Sequence, residues 1–222
     1  MYISKEARRK FHQNLRKWYL KNKRDFPWRY CNNPYKTLVS EVLLQKTKAS
    51  KVVPVYIKFV KKYPTIKILQ NAKIFDVKKI LKSLGLIYRA ERLISIAKNL
   101  FTYNHGKVPC QRDQLLNLKG LGEYVSFAVM CFAFNKKVPI VDNNIVRLFE
   151  RIFGYVSSKK RPRDDASLWK LAESLLPKRN IENYNYALLD FGALQCTAKN
   201  PQHAKCPLRN ICKYNIKNTI KN

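Results

Sequence analysis

The chain has 222 residues, 46% of them hydrophobic and 12% aromatic, which is enough apolar material for one large or two small folded domains. Lys and Arg number 45 against 14 Asp and Glu, a formal net charge of +31; such a surplus repels itself and points to a polyanion, nucleic acid first, with a Lys-biased genome as the plain alternative. No apolar run reaches the roughly eighteen residues of a membrane span, and three of the six cysteines are scattered at Cys31, Cys110 and Cys131, which excludes a secreted disulfide framework and predicts an intracellular chain with reduced thiols.

The N-terminal MYISKEARRKFHQNLRKWYL lacks the apolar core of a secretory signal, and its spacing predicts a first amphipathic helix. In LVSEVLLQKT (38–47), Glu41 stands inside an apolar run. A carboxylate there lies either on a narrow solvated face or in a pocket that raises its pKa and lets it donate a proton. Helical spacing continues through ILKSLGLIYRAERLISIAKNLF, with breaks at NNPY, KYPT and NHGKVP.

Residues 116–134, LNLKGLGEYVSFAVMCFAF, place Gly120-Leu121-Gly122 between two apolar helical segments. Glycine there allows positive φ and close backbone approach, and the next helix start suits a phosphate oxygen. An ordinary helix–turn–helix corner fits the same pattern. In VPIVDNNIVRLFER (138–151), Asp142 precedes a helical run; it is a helix cap, a functional carboxylate, or both. SSKKRPRDD (157–165) is the most linker-like stretch, although Asp165 is placed to cap the helix after it. Strict alternation is nearly absent, so the fold class is all-α, with about ten short helices and no internal repeat.

The tail spaces Cys196, His203, Cys206 and Cys212 by six, two and five residues. Three readings stay open: an iron–sulfur cluster with one imidazole ligand, a Cys3His zinc site, or a decayed site with a solvated His203. His12 and His105 read as structural.

Taken together, FPWR (26–29), the SEVLLQKT helix, LKGLGEY, VDNNIVR, DFGALQC (190–196) and the spaced tail resemble, in order, the helix-hairpin-helix DNA glycosylases of the endonuclease III and MutY superfamily. The resemblance covers almost the whole chain. It implies two helical domains: a six-helix barrel with the hairpin over 30–138, and a discontinuous domain of 1–29 and 139–222 with an iron–sulfur cluster. It also implies a partner, double-stranded DNA carrying a mismatched or damaged base, with the target nucleotide flipped out of the stack. A monomer acting on genomic DNA, with no membrane role, is expected.

The resemblance further assigns roles. Family members that cleave the strand carry a lysine where this chain has Tyr124; tyrosine forms no imine, so a monofunctional glycosylase without lyase activity is implied. Asp142 matches the catalytic aspartate and Glu41 the glutamate that assists departure of the base. Gly120 and Gly122 match the phosphate-binding hairpin, and Gln45 and Lys46 the segment that wedges into the gap. The family tail binds a [4Fe–4S] cluster through four cysteines; here His203 replaces the second, and zinc is the alternative metal. Leu86-Ile87, Asp142-Asn143-Asn144 and the chain's stop after the tail resemble the Mig-type thymine–DNA mismatch glycosylases more than MutY. Thymine or uracil opposite guanine is therefore the expected substrate. The alternatives are adenine opposite 8-oxoguanine, as in MutY, and a non-catalytic DNA-binding protein on the same scaffold.

Overall fold

Residues 3–219 are described by a computed structural model of the chain. Among them are twelve α-helices, four short 3-10 turns and no strand. The helices that begin at Lys5, Pro34, Ile66, Asn143 and Ala166 start where a side chain satisfies an orphan N–H group of the first turn. Ser4 accepts from Ala7 N–H (3.2 Å) ahead of α1 (Lys5–Asn22). Asn33 accepts from Lys36 N–H (3.1 Å) ahead of α2 (Pro34–Leu44), whose first residue is proline.

The chain divides into two compact units, one of Asp25–Lys136 and one of Met1–Arg24 with Lys137–Asn222. The continuous unit holds α2, α3 (Ala49–Lys62), α4 (Ile66–Gln70), α5 (Ile74–Leu81), α6 (Arg89–Tyr103), α7 (Arg112–Leu116) and α8 (Glu123–Phe134). Helix α2 is buried almost all round and packs against α3, α6 and α8, while α4 and α5 lie on α6. Its core joins Leu38, Val42, Phe59, Leu93, Leu100 and Val129, and removing these side chains from water is the main favourable term in this unit.

The discontinuous unit holds α1, α9 (Asn143–Phe153), α10 (Ala166–Ser174), α11 (Ile181–Leu194) and α12 (Lys213–Thr219). Helix α1 buries Phe11, Leu15 and Tyr19, one face at a spacing of four, against α11. The Phe11 ring meets Phe153 edge-on at 5.1 Å, and Trp18 meets Phe191 at 4.9 Å. Asp190, wholly buried on α11, accepts from Arg24 Nε (2.6 Å) and Arg24 N–H (2.9 Å), which ties the end of the N-terminal segment down.

The linker-like stretch 157–165 stays inside this unit, because Asp165 pins it. Its Oδ2 accepts from Tyr155 Oη (2.6 Å), Ser157 Oγ (2.8 Å) and Ser158 N–H (3.2 Å), and its Oδ1 from the backbone and hydroxyl of Ser167. The Tyr155 hydroxyl first, and the serines after it, hold the Asp165 carboxyl well below the usual carboxylate range. The native state thus holds this proton less tightly than the unfolded chain, so the stabilisation is complete above the ordinary carboxylate pKa of about 4 and is lost as pH falls below it. Urea unfolding of D165N against the parent at pH 7 and below pH 4 is expected to show a stability gap that narrows on acidification.

Candidate active site

Asp142 ends the extended segment that enters α9 and is that helix's N-cap. Its Oδ1 accepts from Ile145 N–H (2.8 Å) and its Oδ2 from Asn144 Nδ2 (2.7 Å). Capping and a chemical role are compatible, since the cap bond uses one oxygen and orients the other. Burial pushes the Asp142 carboxyl up, against the opposing pull of the Ile145 and Asn144 hydrogen bonds and the Arg147 charge. A carboxylate so placed is rigid and poorly hydrated, and suits the stabilisation of a nearby developing cation.

The orientation of Asn144 is itself fixed. Arg147 Nη2 donates to Asn144 Oδ1 (3.0 Å) and to the Gly192 carbonyl (2.7 Å), while Arg147 Nε donates to the Cys196 carbonyl (3.0 Å). One turn further along α9, Arg151 Nη1 donates to the Thr197 carbonyl (2.6 Å) and lies 3.5 Å from Cys196 Sγ, and its Nη2 reaches the Ala198 carbonyl (3.0 Å). Helix α9 therefore carries Asp142 at its start and two arginines that hold the beginning of the cysteine tail.

The tail folds around those contacts. Gln195 Nε2 donates to the Gln202 carbonyl (2.8 Å), Asn14 Nδ2 to the Pro207 carbonyl (3.0 Å) and Cys212 Sγ to the Arg151 carbonyl (3.4 Å). Burial pushes the Cys206 thiol up to about 11, with Cys212 and Cys196 adding to the shift, and burial likewise raises Cys212. The three thiols are thus close enough to resist each other's ionisation, and a bound cation would reverse that resistance. His203 stacks on Tyr214 (5.5 Å between centroids, 24°), and Arg151 lies over the same tyrosine at 5.2 Å. Among the described residues no three His, Cys, Asp or Glu side chains are grouped tightly enough to grip a single ion. The three sulfur donors are of the kind an iron–sulfur cluster takes, and His203 is held by ring stacking beside Arg151.

The other sequence-derived candidates lie in the continuous unit. Glu41 is 3% exposed in the middle of α2, and that settles the choice left open above: it is inside, not on a solvated face. Tyr124, in the first turn of α8, is half-buried against the unit's core, and α2 packs on α8. Gly120 has φ +94° and requires glycine on that ground alone, while Gly122 precedes α8 in an extended conformation. No side chain caps α8, whose first backbone bond runs from Ser126 N–H to the Gly122 carbonyl, so its start suits an anion.

Gln45 and Lys46 follow α2 in a turn where Lys46 is exposed at φ +54°. Two arginines that sequence reasoning missed hold this turn. Arg89, wholly buried on α6, donates from Nη1 to the Leu43 carbonyl (2.8 Å) and from Nη2 to the Gln45 carbonyl and Thr47 Oγ1 (2.9 Å). Arg92 Nη1 donates to Gln45 Oε1 (2.7 Å). Within an amphipathic pattern both arginines look like solvent-facing residues, so only the backbone acceptors of the neighbouring turn reveal them.

Residues 39–174 match the model for HhH-GPD superfamily base excision DNA repair proteins, and residues 196–212 match the iron–sulfur binding domain of endonuclease III. A thymine/uracil-DNA glycosylase of Pyrobaculum aerophilum is 38% identical over 208 residues, covering 91% of this chain and 90% of that protein. A thymine-DNA glycosylase of Aeropyrum pernix is 35% identical over 218 residues, covering 96% and 98%. An adenine DNA glycosylase of Buchnera aphidicola subsp. Baizongia pistaciae is 33% identical, but the chain spans only 60% of its length. A solved thermostable thymine-DNA glycosylase superposes with a TM-score of 0.90 at 36% identity, over 96% of this chain and 98% of that one.

The packing behind Asp142 is tight enough to test. A Cβ at Gly192 would stand 2.8 Å from Asn144 Cβ and 3.4 Å from its carbonyl oxygen, so α11 approaches α9 more closely than any side chain allows. G192A is expected to cost about 1–3 kcal/mol in urea unfolding and to slow catalysis more than a surface change of equal destabilisation. Family model, length-wide identity and fold agree: the chain belongs to the HhH-GPD superfamily of base excision DNA repair proteins and carries an iron–sulfur binding domain of the endonuclease III kind.

Proposed function

We propose that this DNA glycosylase of base excision repair is monofunctional and removes thymine or uracil opposite guanine, leaving the strand intact. The observation that carries the reaction type is a pair of side chains: a desolvated, doubly hydrogen-bonded carboxylate at Asp142 and a phenol at Tyr124, where an imine would need an amine. The thymine and uracil relatives, matched nearly end to end, support the choice of base.

The chemistry follows from these groups. The glycosidic bond breaks with its electron pair going to the base, and the sugar C1′ becomes cationic. The Asp142 carboxylate stabilises that charge and helps orient the water whose oxygen bonds to C1′. Glu41 assists the base as it departs. Double-stranded DNA is the partner, bound by a monomer: amides around Gly120 and Gly122 hold a phosphate, and Gln45 and Lys46 enter the gap left by the flipped nucleotide. The surplus of +31 adds affinity that is blind to sequence and weakens with salt. No helix among the described residues is long and apolar enough to cross a membrane, and the chain acts on genomic DNA inside the cell.

Duplexes containing G·T, G·U or adenine opposite 8-oxoguanine, incubated with the protein and then treated with alkali, test this reading. Cleavage of G·T and G·U only after alkali is expected. A borohydride-trapped adduct would overturn the monofunctional mechanism, preferential cleavage at adenine would assign the MutY specificity, and no cleavage on any duplex would leave a binding protein. D142N should lower the single-turnover rate by about 100-fold or more. Because burial raises the Asp142 pKa, the parent's rate should fall on acidification from above the ordinary carboxylate value of about 4.

In the tail, Cys196, Cys206 and Cys212 with His203 as the fourth donor would hold a [4Fe–4S] cluster, which when bound would cross-link the tail across residues 196–212. With one neutral imidazole in place of an anionic thiolate, such a centre is less negative and has the higher potential. Protein purified without oxygen should contain iron and sulfide in nearly equal amounts, and H203C should retain both longer on exposure to air. Zinc without sulfide would replace the cluster by a Cys3His zinc site.

A further inference from the structure

Arg92 joins two parts of the continuous unit that lie far apart in sequence. Its Nη1 donates to Gln45 Oε1 at 2.7 Å. Its stem lies across the hairpin glycine, so that a Cβ at Gly120 would stand 2.7 Å from Arg92 Nε and 3.1 Å from both Cγ and Cδ. Besides its positive φ, position 120 thus leaves room for this side chain. Arg92 Nε is buried with no acceptor, and no carboxylate pairs with Arg92 or with Arg89 among the described residues. A guanidinium kept half-buried without a counter-ion is costly, and a side chain retained at such cost is expected to do more than fill space.

The geometry points to Arg92 as a positioning residue that couples the hairpin's hold on a phosphate to the placement of Gln45 in the duplex. The inference rests on the proposed roles of Gly120 and Gln45. The Gln45 backbone carbonyl is already fixed by Arg89, which leaves the side-chain amide as the movable part. Arg92 holds that amide through its carbonyl oxygen and leaves the amide nitrogen, Nε2, to meet a base or a phosphate. An anion at the hairpin draws the Arg92 charge towards Gly120, and the amide of Gln45 moves with it.

A double-mutant cycle tests the coupling. Base flipping is read from 2-aminopurine fluorescence beside the target base of a G·T duplex, together with the single-turnover rate. Q45A and R92M are each expected to reduce both signals about tenfold, and the double variant should match the worse single variant within about twofold. R92K keeps the charge but not the planar fork; it should restore salt-dependent affinity for undamaged duplex without restoring the flipping signal. Multiplying effects in the double variant would overturn the coupling, as would an R92M protein with a lowered Tm but unchanged flipping. Should R92M fail to fold by circular dichroism, R92K in the Q45A background carries the same cycle. If Q45A alone leaves flipping intact, Gln45 is not the wedge and the inference falls with that reading; effects that multiply while Q45A is impaired remove the coupling alone.

Discussion

The hydrogen bond from Ile145 N–H to Asp142 Oδ1 constrains the rest of the discontinuous unit's chemistry. An N-cap bond contributes about 1 kcal/mol to a helix, a modest sum, yet here it sets the direction of a carboxylate. With one oxygen committed to the helix start, the other can only lie where Asn144 meets it, and Asn144 is held by Arg147. Arg147 in turn also donates to the carbonyls of Gly192 and Cys196. A chain of four hydrogen-bonded groups thus runs from the carboxylate to the first cysteine of the tail. Each link is short, charge-assisted or both, so displacing one end is felt at the other.

The start of the tail is tied into the same network. The carbonyls of Cys196, Thr197 and Ala198 are acceptors for the two arginines of α9. Those carbonyls follow the last turn of α11 and have no helix to order them. Closing the tail between residues 196 and 212, as the proposed cluster would, would restrict them in the folded state and remove alternatives from the unfolded one. On that proposal the tail would act on Asp142 by fixing acceptors for Arg147 and Arg151.

Much of this could be read from the sequence, and the part that could not has a common physical cause. Periodicity gives the helices, and Asp142 and Asp165 give the starts of α9 and α10, because capping is local chemistry. Sequence leaves Glu41 between solvent and interior, since a lone carboxylate in an apolar run fits either; burial at 3% depends on what α2 packs against. Arg89, Arg92, Arg147 and Arg151 went unread for the same reason. Their partners are mostly backbone carbonyls from 44 to 49 residues away in sequence, and a carbonyl carries no residue-type signature. DFGALQC was recognisable as a motif, but the reason for its glycine, contact with Asn144, exists only once α9 and α11 are packed.

The charge balance gains a sharper meaning from the same observations. Of a small stock of carboxylates, Asp142 caps α9, Asp165 pins a loop, Asp190 is wholly buried with Arg24, and Glu41 lies inside α2. These four are tied into caps, a loop and packing, whereas most of the remaining acids, like the lysines, are exposed. Two arginines of α6 are held differently: Arg89 and Arg92 donate to carbonyls and a side-chain amide, which carry no net charge to balance theirs, and Arg92 lies against the hairpin glycine Gly120. On the proposed role of the hairpin, a phosphate arriving there would meet charge that the protein has already desolvated, so the attraction would be stronger than the same cation would exert from the surface.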